Sequence, residues 1–221
     1  MTITNRSTKG SALTYEEMDA NLAHLNTLLT EYNDYELDQW YLKGDWRPPT
    51  GATAGTIKNH NQATTAYWER LEVGFTKAGT GMAQRYLPYG DNVDDGIFVF
   101  PKMGLWRIDA RVLVEVKGAS NIYIKMNYLD PSDNSHTLAV MQTGLTENGP
   151  TNNVIQTLHG TALLNINETP DNDYPRFWLS GSYMEHPLHN GARPMATVHG
   201  QGTLHGIETH LVFERKGPPQ T

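Results

Sequence analysis

Cysteine is absent from the 221 residues. Disulfides, thiolate metal sites and thiol nucleophiles are therefore excluded. A chain without cross-links commonly draws robustness from oligomerisation instead. Charge is also sparse: Asp, Glu, Lys and Arg make up 19%, with a balance of -7. No block of lysines and arginines occurs. A phosphate backbone needs clustered cations to release its counterions, so nucleic acid is not an expected partner. No apolar run approaches the ~18 residues of a membrane helix, and the N-terminus lacks a basic-then-apolar order. The expectation is a chain with neither a membrane span nor a secretory leader.

What is plentiful is Asn, Thr, Gly and Gln, against a hydrophobic share of 38%. Asn and Gly tolerate positive φ, so this mixture suits an all-β protein with many turns. The length allows one medium domain, or a small domain plus an attachment region.

Residues 1–10 contain only Met1 and Ile3 as apolar side chains. Such a segment cannot bury enough surface to order alone. It reads as disordered or as a docking arm carrying Ile3, Arg6 and Lys9 to a partner. A helix is predicted to begin at Thr14. Thr14 and Glu17 have the spacing of a capping box, and Leu13 with Met18 that of a hydrophobic staple. Glu16, Glu17 and Asp19 set negative charge at the positive end of the dipole. The apolar positions Met18, Leu22, Leu25, Leu29 and Tyr32 then follow a 4, 3, 4, 3 spacing, an a/d heptad stripe. About two heptads are marginal as an isolated helix in water, so the stripe must pack on something. A seam between copies and an amphipathic face on the chain's own domain both satisfy that need. The seam is the preferred reading.

Residues 44–65 include Arg47-Pro48-Pro49-Thr50-Gly51-Ala52-Thr53-Ala54-Gly55 and read as a Pro/Gly linker. Trp40, Tyr41 and Trp46 at its start are expected to pack against the β domain or a neighbouring subunit. From Tyr67 the period becomes two. In 104–116, Trp106, Ile108, Ala110, Val112, Val114 and Val116 share one face. Arg107, Asp109, Arg111 and Glu115 share the other, with Leu113 as the apolar exception. Further strands are predicted at 67–75, 96–100, 121–129, 136–142, 153–166, 175–185 and 203–214. Pro101–Gly104, Asp130–Asn134, Glu147–Pro150 and Pro170–Asp173 mark turns between them. About eight antiparallel strands with long connections predict a jelly-roll or related sandwich. No internal repeat of the β-helix or propeller kind is present.

Two resemblances follow from these residues. The segment Arg6-Ser7-Thr8-Lys9-Gly10-Ser11-Ala12-Leu13-Thr14-Tyr15-Glu16-Glu17-Met18-Asp19-Ala20-Asn21-Leu22 resembles the opening of many phage virion proteins, often tail fibres or tail-associated proteins. Their recurring form is roughly TKGSxLTxxExDANF, with Leu22 here in place of the common Phe. Separately, Gly96-Ile97-Phe98-Val99-Phe100-Pro101-Lys102-Met103-Gly104-Leu105-Trp106-Arg107-Ile108 resembles the G-x-F-x-x-P-x-x-G-x-Y-x-F hairpin of C1q/TNF-like domains. Trp106 and Ile108 replace its usual Tyr and Phe, and Thr209–Phe213 sits where that family's closing strand ends. This second resemblance implies a ten-strand jelly-roll over residues 66–216 that trimerises about a threefold axis. Together the two imply a helical stem joined to a β head, in which the head's association concentrates the three helices.

The residues that could carry chemistry favour plainer roles. His186, His189, His199, His205 and His210 include imidazoles able to bind zinc or nickel. Pro187, however, prevents helical presentation of the His186/His189 pair. Scattered strand and surface histidines are the expectation. Asp94-Asp95 and Asp171-Asn172-Asp173 fall in predicted turns, where Asp bonds locally. A glycosidase would need two carboxyls at a set separation, and no calcium-loop Gly and Glu follow. No G-x-S-x-G, P-loop, H-E-x-x-H or dinucleotide fingerprint occurs. Ser180-Gly181-Ser182 reads as a strand interruption. Tyr86, Tyr89 and Tyr174, with Trp178 and Tyr183, could stack on sugar rings if exposed. Core and subunit interface are the preferred reading for them.

The expectation is a mainly β protein: an antiparallel jelly-roll sandwich after a short N-terminal coiled-coil helix and an extended linker. Residues 1–43 form the attachment arm and trimerisation helix, 44–65 the linker, 66–216 the jelly-roll and 217–221 a tail. The expected function is that of a non-enzymatic, homotrimeric phage virion surface protein without cofactor or metal. Its partners would be other virion proteins, with placement as a capsid decoration (cement) protein or a fibre or spike. The alternatives are a tail-fibre head that recognises a host surface glycan and, ranked lower, a carbohydrate-active depolymerase.

Overall fold

The computed structural model describes residues 9–33, 35–48, 55–57, 67–71, 77–86, 94–117, 120–143, 153–170, 175–185, 195–200 and 209–220. The chain divides into two units, residues 1–35 and 36–221.

The first unit is built on helix α1, Tyr15–Asn33. It starts where the capping box predicts. The Glu17 amide donates to Thr14 Oγ1 at 3.2 Å, and the Thr14 amide donates to Glu17 Oε2 at 2.8 Å. These reciprocal bonds satisfy donors that a helix start leaves open. Lys9 Nζ also pairs with Glu17 Oε2.

In the second unit the strands run β1 (Leu37–Lys43), β2 (Gly55–Thr56), β3 (Tyr67–Arg70), β4 (Lys77–Ala78), β5 (Ala83–Tyr86), β6 (Asp94–Val99) and β7 (Gly104–Lys117). They continue with β8 (Ser120–Leu129), β9 (Ser135–Gln142), β10 (Asn153–Ile166), β11 (Arg176–Glu185), β12 (Met195–His199) and β13 (His210–Gly217). One sheet follows the order β10-β7-β13-β1-β3, with β12 also on β7 and β4 on β1. The other follows β5-β6-β11-β8-β9, with β2 also on β11. The pairings are antiparallel, and the architecture is a jelly-roll sandwich.

Alternation explains the core. On β7 the predicted face is buried from end to end: Trp106, Ile108, Ala110, Val112, Val114 and Val116. Ile122, Ile124 and Met126 of β8 and Phe177 and Leu179 of β11 join the same core from the opposite sheet. Phe213 packs edge-on against Phe100 and Phe177, while Phe98 meets Trp40 and Trp68 in T-shaped contacts. Such aromatic pairs add to the burial of apolar area.

Three sequence expectations require correction. Residues 37–43 belong to the sandwich, not to an N-terminal arm, because β1 lies between β13 and β3. The segment 44–65 is not a free linker over its described part. Trp46 forms a two-way backbone bridge with Val198, and Ile57 is fully buried with its amide bonded to the Leu179 carbonyl. Trp46 is bridged to β12 on the first sheet and Gly55–Thr56 pairs with β11 on the second, so the chain passes from one sheet to the other between them. Asp94 and Asp95 open strand β6 instead of forming a turn. The turn at Asp130–Asn134 is present as read: Asp130 accepts from the Asn134 amide at 2.8 Å and from Asn134 Nδ2 at 3.1 Å.

Candidate functional site

On α1, the stripe residues Met18, Leu22 and Leu25 are 39%, 59% and 48% exposed. These are the first three positions of the a/d spacing read from the sequence. Leu29 and Tyr32 also lie on the helix, but their side chains are outside the described residues.

A second feature lies on the outward face of the seven-stranded sheet. Because strand side chains alternate, Arg107, Asp109 and Arg111 of β7 point away from the core. The registers align one transverse row over five strands: His159 faces Arg111, Arg111 faces His210, His210 faces Tyr41 and Tyr41 faces Glu69. Side chains directly opposite on one face lie about 4.5–5.5 Å apart at Cβ. At one end Glu69 is occupied: the Tyr41 hydroxyl donates to it at 2.6 Å and Lys43 Nζ lies at 3.1 Å. The Tyr41 and Lys43 hydrogen bonds hold the Glu69 carboxyl below its ordinary value.

At the other end is a cavity of about 430 Å³, lined by Arg107, Asp109, Ala110, Arg111, His159, Gly160, Thr161 and His210. Asp109 is committed. Its carboxylate takes a two-pronged contact from Arg107, with the shorter distance 2.9 Å, and accepts from the Thr161 hydroxyl at 2.6 Å. The side chains of Arg111 and His159, both exposed, make no hydrogen bond or ion pair among the described residues. His210 Nδ1 is buried without a hydrogen-bond partner. Burial first, then the charges of Arg111 and His159, push the His210 imidazole below its ordinary value.

The remaining polar interior is structural. Asp38, 1% exposed, accepts from Arg70 through Oδ1 and Oδ2 at 2.9 and 3.0 Å, from the Met82 amide at 2.7 Å and from Trp40 Nε1 at 2.9 Å. Glu36, fully buried, takes the Thr80 and Gly81 amides at 3.1 and 2.8 Å and Lys102 at 2.8 Å. Gly79 and Gly81 sit at φ 76° and 75°, and a Cβ on Gly79 would strike the Glu36 carboxylate. Buried carboxylates so enclosed by donors pin a loop to a strand.

His199 is also buried, with Nδ1 3.2 Å from Asp45 and Nε2 3.1 Å from Glu115. Because its two nitrogens face different carboxylates, the group ties a crossover to β7 and does not converge on one point in space. No cluster of three His, Asp or Glu residues able to hold a metal occurs among the described residues.

Other sequence candidates are placed only in part. Lys9 of the arm is engaged by Glu17, while Ile3 and Arg6 lie outside the described residues. Tyr86 is in β5; its side chain, like Tyr89, Tyr174, His186, His189, His205 and Asp171–Asp173, lies outside them. The sequence reading missed the His159–Arg111–His210 row. Each residue sits on a different strand, and only the register brings them together. The alternating polar residues of β7 were the available signal.

No protein-family model matches the chain, and no curated protein matches it. Among solved structures it is similar to Eiger TNF from S. frugiperda, with a TM-score of 0.54 at 8% identity over 85% of this chain and 96% of that one. It is also similar to murine APRIL at pH 8.0, with a TM-score of 0.46 at 9% identity over 82% of this chain and 99% of that one. At such low identity the likeness to Eiger TNF is one of fold.

Proposed function

We propose that the protein is a non-enzymatic, homotrimeric structural component of a bacteriophage particle, docked by its N-terminal region with its jelly-roll projecting. The observation that carries this reading is a properly capped helix presenting Met18, Leu22 and Leu25 to solvent at heptad spacing. A lone helix of this length is marginal, and joining like stripes removes the apolar surface from water. The TNF-like sandwich supports the same number of copies, since the C1q/TNF-like resemblance implies a threefold axis. The particle itself is argued from Arg6–Leu22, whose order of residues resembles phage virion proteins. Capsid decoration and a tail fibre or spike are the two placements.

Mass photometry of the full chain tests the assembly. The expected particle has three times the 24.8 kDa chain mass, and Leu22→Glu with Leu25→Lys shifts it toward single chains. A single-chain mass for the unaltered protein overturns the trimer. Antibody labelling of purified phage particles tests the location: labelled capsids or tails support it, and absence of the protein from particles overturns it.

A further inference from the structure

We propose that the outward face of the six-stranded sheet, across β8 and β11, binds a saccharide whose ring stacks on Trp178. This goes beyond the assembly proposed above and does not depend on it, since every residue invoked belongs to one chain.

Alternation sets the face. On β11, Phe177 and Leu179 are fully buried, and a Cβ on Gly181 would meet Ile124 and Trp46 in the core. Trp178, Ser180 and Ser182 therefore point the other way. On β8, Ile122, Ile124 and Met126 take the core, so Tyr123, Lys125 and Asn127 share that outward face. Register sets Trp178 opposite Asn127, Ser180 opposite Lys125 and Ser182 opposite Tyr123.

The relief of this face follows from side-chain size. Ser180 and Ser182 are each 5% exposed. They lie beside the longer Lys125 and Tyr123, with the Trp178 indole at one end of the row. Small residues hemmed by large ones leave a trough along β11. Its floor is fixed by Asn127, whose Nδ2 donates to Ser180 Oγ at 2.9 Å, to the Lys125 carbonyl at 3.2 Å and to the Trp178 carbonyl at 3.5 Å. A surface held in place beforehand loses little freedom when a ligand settles on it.

The side chains around the trough are unspent. Those of Trp178, Tyr123 and Lys125, all half-buried, make no hydrogen bond or ion pair among the described residues. An indole offers a broad apolar face and an N–H at its rim, which complements the C–H face of a pyranose and its ring of hydroxyls. The Tyr123 hydroxyl both donates and accepts, and the Lys125 ammonium donates. A protein partner fits less well. Val140, opposite Lys125 on β9, is the one exposed large apolar side chain of this sheet among the described residues. The centre of a protein interface calls for several such anchors.

The test is an NMR titration of the nitrogen-15-labelled full chain, read at the indole N–H signals of its five tryptophans. The Trp178 signal is the one missing from Trp178→Phe. The probes are the methyl glycosides of glucose, galactose and N-acetylglucosamine, and sodium glucuronate, at constant ionic strength. Glycerol, a polyol without a ring, is the control. The Trp178 signal is expected to move saturably with at least one probe and to stay still with glycerol. Lys125→Gln and Trp178→Ala should each weaken that binding about tenfold or more, with thermal unfolding unchanged for Lys125→Gln. A Trp178 signal that follows the glycerol control with every probe overturns the proposal, as does a Trp178→Ala protein that binds as tightly as the parent. A chain found to be trimeric and particle-borne whose Trp178 signal never moves keeps the earlier reading and sinks this one.

Discussion

Asp38 shows how one residue decides the course of a strand. A carboxylate at a core-facing position is costly unless donors surround it, and here Arg70, Trp40 Nε1 and the Met82 amide do so. Removing the carboxylate leaves the Met82 amide and Trp40 Nε1 without their acceptor and Arg70 with the Met82 carbonyl in place of its ion pair. Asp38→Ala is therefore expected to cost about 3–5 kcal/mol, read as a lower urea midpoint with unchanged slope. The same residue explains why β1 is hard to see in the sequence. Within Leu37–Lys43 the inward positions are Asp38, Trp40 and Leu42, so a charge interrupts the apolar alternation. Its partner Arg70 lies 32 residues away, beyond any local pattern. The cationic row was hidden for a related reason: His159, Arg111 and His210 meet only through strand register.

At the scale of elements, what is local was legible and what is long-range was not. The α1 start, the β7 alternation, the β10 span and the Asp130–Asn134 turn are each encoded within a few residues, and each lies where the pattern places it. The crossover from Trp46 to Ile57 looked like a linker because its anchors, Val198 and Leu179, are distant in the chain. The helix cap gives a test at this scale. Lys9 first, then the Thr14 amide, hold the Glu17 carboxyl below its ordinary value. A lowered folded value means that its contribution is complete above the ordinary carboxylate range. It is lost as pH falls through that folded value. Helical ellipticity should therefore decline on acidification, and Thr14→Ala should cost the helix about 1 kcal/mol and blunt that pH response, both followed by circular dichroism.

For the whole molecule, the division at residues 35 and 36 predicts what can be removed. A chain beginning at Glu36 keeps β1, the Glu36 and Asp38 clusters and the full core, and it should unfold cooperatively near the temperature of the parent. A chain beginning at Gly44 loses the strand between β13 and β3 and should not fold, as judged by loss of near-ultraviolet dichroism. In the proposed assembly the shorter stable chain should also lose trimer affinity, because the effective concentration conferred by the helices is gone.

The position of β1 has a mechanical consequence. It begins at Leu37, four residues after α1 ends at Asn33, and it is bonded along both edges. A tether that pulls on the N-terminal segment thus loads an interior rail of the sheet. Extracting that rail demands shearing two ladders at once, whereas an edge strand would unzip one bond at a time.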